Sequence, residues 1–141
     1  MVIPHQNNEE ILSLSLSSSN AYRNFIDSIR SEFSKRLYTR ILKAYMRHYN
    51  YTDVDSLIHD KDVKQIESEI ISYLVKKRQP PYSLVYSSLN SIKGCLVTFY
   101  AMNDILLNSK KIGRYLGEQQ RAHMDRAYTV ERNVPNIYEP T

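Results

Sequence analysis

Residues able to do chemistry are few in this sequence and, with one exception, they do not cluster. His5, His48, His59 and His123 lie far apart, without the acidic or Cys companions that metal-ligand spacing requires, so no metal site is expected. The single cysteine, Cys95, sits beside an apolar helical stripe and reads as a small core residue. One Cys also permits no internal disulfide, which fits a reducing compartment. His123-Met124-Asp125-Arg126 matches a His-x-x-Arg pair, but two fixed positions alone are weak support for catalysis. No glycine-rich phosphate loop and no Ser-His-acid or Cys-His arrangement can be argued, so no catalytic residue, cofactor or small-molecule substrate is expected.

The exception is positive charge. The net charge of +4 is modest, yet its distribution is uneven. Between Glu32 and Asp53 there is no acid, while Lys35, Arg36, Arg40, Lys43 and Arg47 fall in that interval. Arg36, Arg40, Lys43 and Arg47 follow at helical steps and share one stripe, opposite an apolar face. A second acid-free stretch, Ile70–Asn103, carries Lys76, Lys77, Arg78 and Lys93, and a third, Ile105–Gly117, carries Lys110, Lys111 and Arg114. Acids gather instead between Asp53 and Glu69. An ordinary solvated helix face mixes signs and gains small i,i+4 pairs. A single-sign stripe repels itself unless a polyanion meets it, and duplex DNA is such a partner.

Helices must position these cations. Three Gly and five Pro in 141 residues leave long uninterrupted stretches, enough for one domain. Ile11–Ser19 alternates Leu and Ser and, with no partner strand in sight, is expected to be part of a flexible lead-in over residues 1–18. Tyr22, Phe25, Ile26 and Ile29 predict a short amphipathic helix. The clearest helix is expected from Ser34, as N-cap, to Tyr49, with Leu37, Tyr38, Ile41, Leu42, Tyr45 and Met46 inward. Asp53 should cap a turn of helix. A third long helix follows Asp60, with Val63, Ile66, Ile70, Ile71 and Leu74 inward, and Pro80-Pro81 closes it. Ser83 is expected to cap a fourth, whose inner face is Val85, Leu89, Ile92, Leu96 and Phe99. Opposite lie Ser87, Asn90, Ser91, Gly94 and Thr98, small or hydrogen-bonding residues suited to DNA or to close helix packing. A last short helix fits Ser109–Leu116, ended by Gly117. Residues 19–117 thus form the folded domain, and 118–141 reads as a polar linker or tail.

Several of these segments resemble the core-binding domain of tyrosine recombinases, the phage-type integrases. Ser34-x-x-x-Tyr38-x-x-x-Leu42-x-x-Tyr45 resembles that domain's opening helix. Ser87-Ser88-Leu89-Asn90-Ser91-Ile92-Lys93, with Phe99-Tyr100 and Asn103, is similar to its second signature helix. Leu107–Ile112 resembles the stretch leading out of the domain, and Asp125–Thr129 the linker to the catalytic domain, most like archaeal integrases. The resemblance spans about residues 20–131 and implies an all-α, four- to five-helix SAM-like bundle that holds double-stranded DNA. Carried over by position, it puts Ser34, Lys35 and Arg36 at one DNA-facing helix start and Ser87, Ser88, Ser91 and Lys93 on another. Arg40 and Lys43 join them from the basic stripe.

The family's catalytic Arg, Lys, His-x-x-Arg, His or Trp and Tyr nucleophile belong to a following domain. Only fifteen residues follow Arg126, so a truncated or fragmentary integrase without cleavage activity is expected, and His123-x-x-Arg126 precedes the place of that motif. Pro135 and Pro140 also replace the helix expected after Thr129. Other recombinase subunits are a further expected partner. The competing expectation is a helical protein–protein interaction module. No apolar run approaches the ~20 residues of a membrane span, and Met1–Glu10 lacks a basic n-region, so a cytoplasmic location is expected.

Overall fold

The chain folds as an all-α bundle. The computed structural model describes residues 12–117, among which there is no strand. Six helices follow one another: α1 (12–18), α2 (Asn20–Ile26), α3 (Glu32–His48), α4 (Val63–Arg78), α5 (Tyr86–Ala101) and α6 (Ser109–Gly113), with a 3-10 turn at Val54–Leu57 between α3 and α4.

The alternating Leu-Ser segment is helical rather than a flexible lead-in. Leu12 and Leu16, four residues apart, are buried together, whereas Leu14 is left 69% exposed. A strand would place all three on one face; a helix separates Leu14 from the other two. Ser17 and Ser18 are accommodated within the helix by donating to the carbonyls of Ser13 and Leu14. Ser15 accepts from the Val54 N–H at 3.0 Å, tying α1 to the 3-10 turn. The lead-in expectation for residues 1–11 and the linker expectation for 118–141 lie outside the described residues.

α5 is the hub, packing against α2, α3, α4 and α6. Leu89, Ile92, Cys95, Leu96, Phe99 and Tyr100 are its buried residues. Phe25 of α2 meets Phe99 edge-on at 5.5 Å and stacks on Tyr38 of α3 at 6.0 Å, so one aromatic ring joins three helices. Cys95 is fully buried and donates to the Tyr38 carbonyl, and burial pushes its thiol pKa well up.

Three helix starts differ from the sequence expectation. α3 is capped by Ser31, whose hydroxyl accepts from the Ser34 N–H at 2.9 Å, so Ser34 lies inside the first turn. Both serines are competent caps, but the earlier start also places Glu32 in the first turn, where the helix dipole favours an acid. α4 is capped by Asp62, which forms a capping box with Gln65. α5 begins after Val85 rather than Ser83, because the Ser83 and Leu84 N–H groups donate back to Gln79 and Lys77 of the preceding helix. Consequently Val63 and Val85, expected inward, are exposed, the one as the first residue of α4 and the other as the N-cap of α5. Asp53 caps the 3-10 turn as expected, its carboxylate accepting from the Asp55 N–H. The last helix is shorter than Ser109–Leu116, yet Ile112 and Leu116 both reach the core.

Among the described residues no helix is long and apolar enough to cross a membrane.

Candidate nucleic-acid interface

The basic stripe of α3 lies beside a groove. Lys35, Arg36, Arg40 and Lys43 line it together with Thr39 and Glu32 of α3 and Tyr22 and Ile26 of α2. Its volume is about 510 Å³. The groove exists because α2 and α3 are held at a set distance. The Tyr22 and Thr39 hydroxyls are hydrogen-bonded at 2.6 Å across the two helices, and Phe25 beneath them stacks on Tyr38. Arg36 and Arg40 are exposed, and Lys35 and Lys43 are half-buried.

Electrostatically the groove is one-sided. Among the described residues Glu32 is its single acid, pairing with Lys35 at 3.6 Å from an exposed position. Such a surface pair contributes little and is screened by salt. Among the described residues no salt bridge involves Arg36, Arg40 or Lys43. Guanidinium groups with this exposure can fork onto phosphate oxygens, and lysines add point charges beside them.

The second expected face divides in two. Ser87, Ser88 and Asn90 are exposed on the first turns of α5. Ser91 is half-buried and its hydroxyl donates to the Ser87 carbonyl at 3.1 Å. Gly94 instead faces α3: a Cβ there would stand 3.5 Å from the Tyr38 hydroxyl, ordinary packing distance. The small residues therefore serve helix packing at Gly94 and remain available to solvent at the helix start. Lys93 is not gathered with the serines. It lines a separate pocket with Tyr86, Lys110, Gly113, Arg114 and Leu116.

Of the nine residues expected to contact DNA, the structure brings Lys35, Arg36, Arg40 and Lys43 into one groove. Ser34 lies just before them within α3, and Ser87, Ser88, Ser91 and Lys93 are on α5. Sequence reasoning missed Tyr22 and Thr39 as groove residues, since nothing local announces a contact across seventeen positions. It noted Lys110 and Arg114 only as part of an acid-free stretch. Their i,i+4 spacing in a helical segment is the signal that places them together.

A third surface is aromatic. His48, Tyr49, Ile71, Ser72, Val75, Lys76, Gln79, Pro80, Pro81 and Tyr82 line a groove of about 730 Å³ between the ends of α3 and α4. Lys77 lies over the Tyr82 ring at 3.7 Å. Burial, with Lys77 and Lys76 nearby, lowers the pKa of His48, favouring the neutral ring. Among the described residues no group of three or more His, Cys, Asp or Glu side chains could hold a metal ion. His5 and His123-x-x-Arg126 lie outside the described residues.

No protein-family model, curated protein or solved structure matches the chain.

Proposed function

We propose that this chain is a DNA-binding module that grips duplex DNA through phosphate contacts, in the manner of a tyrosine-recombinase core-binding domain, and does not itself cleave the strand. The observation that carries the reading is the α2–α3 groove, where four cations face one exposed acid. Counterion release from DNA rewards that arrangement, whereas a protein gains little from keeping it in water. The exposed Ser87 and Ser88 on α5 supply hydroxyl donors of the kind that fix register on a sugar-phosphate backbone. A SAM-like arrangement of the helices and the role of a core-binding domain in integration and recombination belong to this proposal.

The test is a fluorescence-anisotropy titration with a mixed-sequence duplex of about 30 base pairs across a salt series. Affinity should fall with salt at a log–log slope of about −0.9 per phosphate neutralised. Binding that ignores salt, or none at low salt, would reject the proposal.

The aromatic groove between α3 and α4 favours a second reading, a helical module that docks on another protein, such as a full-length recombinase that it assists or inhibits. Charge reversal at Arg36 and Arg40 separates the two. It removes DNA binding under the first reading and leaves protein binding intact under the second.

A further inference from the structure

The pocket between α5 and α6 has chemistry of its own. Its volume is about 300 Å³, and among the described residues its charged side chains, Lys93, Lys110 and Arg114, are all cations. Among the described residues no salt bridge involves any of the three. The neighbouring Lys111 shows the contrast, because it is paired with Glu67 at 3.0 Å. Lys110 and Arg114 stand four residues apart, a like-charge spacing that is mildly unfavourable in a helix. Lys93 is brought in from α5 to join them. A Cβ on Gly113 would stand 3.2 Å from the Lys93 ammonium, so the absence of a side chain there lets that ammonium lie close against α6.

Three cations sharing a pocket repel one another, and an oxyanion among them would turn that repulsion into attraction. Tyr86 adds a phenol to the lining.

We propose that Lys93, Lys110 and Arg114 form a seat for a single phosphate group, separate from the α2–α3 groove. The seat stands on its own geometry. Only the identity of its occupant, a backbone phosphate of the bound duplex, rests on the DNA-binding reading.

Titration of the full chain with inorganic phosphate at constant ionic strength, followed by amide NMR, tests the seat. Saturable shifts are expected at Lys93, Gly113 and Arg114, reversed by sulfate and lost in a Lys93→Gln/Arg114→Gln variant. Lys110→Gln is the fallback if the double variant does not fold, and it should weaken the shifts. Absence of saturable shifts at these amides, or shifts that survive the substitutions, overturns the proposal whatever the duplex does. The duplex then identifies the source of the phosphate. A salt slope reduced by about 0.9 in the double variant supports one backbone phosphate in the seat. Unchanged duplex binding, with inorganic phosphate still seated in the native chain, supports the seat and assigns it to a free phosphorylated compound. Arg36→Glu/Arg40→Glu should leave the inorganic phosphate shifts in place, so failure of the groove and failure of the seat are read separately.

Discussion

The acids of residues 53–69 and the cations of the α2–α3 groove and the α5–α6 pocket differ in what they touch. Most of the acids are committed inside the structure. Asp53 and Asp62 cap helical turns, and Asp55 accepts from the Ser19 hydroxyl. Glu67, 4% exposed, accepts from the Asn108 N–H at 2.7 Å and from Lys111, which fixes α6 against α4. Glu69 accepts from the Tyr45 and Tyr51 hydroxyls, each at 2.7 Å, and from Lys61. The cations Arg36, Arg40, Lys43, Lys93, Lys110 and Arg114 have no such commitments in any salt bridge among the described residues. The acids hold the scaffold, with Lys61 and Lys111 as their partners, and these six cations stand outside those pairs. That division turns a small net charge into a directional field.

The largest expected effect attacks the cationic side. Arg36→Glu with Arg40→Glu should weaken duplex affinity by about 100-fold, two charged contacts at ~1.5 kcal/mol each, in an anisotropy titration. Both positions are exposed, so the thermal midpoint should stay close to that of the native chain. A large loss of stability would mean that these arginines also belong to the scaffold.

Glu67→Ala should act the other way, costing about 2 kcal/mol of stability by stranding the Asn108 N–H and Lys111, read in a denaturant melt. At a fixed temperature where both chains remain folded, duplex affinity through the groove should change little. Equal damage to stability and binding would dissolve the distinction between the two regions.

The same carboxyl predicts a pH dependence. The Asn108 N–H bond lowers its pKa against the opposing cost of burial, with help from Lys111 and Lys64. A depressed folded pKa stabilises the fold above the unfolded carboxylate value and ceases to do so as pH falls through the folded one. Thermal melts should therefore show Glu67→Gln differing most from the native chain near neutrality. The difference should shrink in acid below about pH 4. A constant gap between neutral and acid pH would refute the linkage.

Asp62→Ala should cost least, about 1 kcal/mol, by removing the capping box of α4. Asp62→Asn, which retains an acceptor for the Gln65 N–H, should restore much of it in the same melt. If Asn fails to restore stability, the negative charge rather than the hydrogen bond is what the cap supplies.

Much of the scaffold was legible because helical periodicity is local. The spacing of Leu42, Tyr45 and Met46 marks the inner face of α3, and all three are fully buried. Arg36, Arg40 and Lys43 are consequently on its outer side, where a shared groove follows from helical geometry. Cys95 as a core residue was equally legible. The Leu-Ser segment was not, because two-residue alternation and i,i+4 spacing coexist in it. Burial of Leu12 and Leu16 against the bundle decided between them. Helix starts shifted by two or three residues for a similar reason. Several Ser and Asp are adequate caps, and hydrogen bonds from neighbouring turns select among them.

The amino-acid sequence alone determined the all-α class, the inward faces of the long helices and the separation of acidic from basic stretches. Each of these depends on residues within a few turns of one another. The tertiary structure alone decided which cations share a cavity. Lys93 meets Lys110 and Arg114, while Lys35, Arg36, Arg40 and Lys43 meet Tyr22 across another helix. It also decided that the acids would be consumed internally, Glu67 by residues more than forty positions away. Such contacts depend on how the helices pack around α5, which spacing along one helix does not encode.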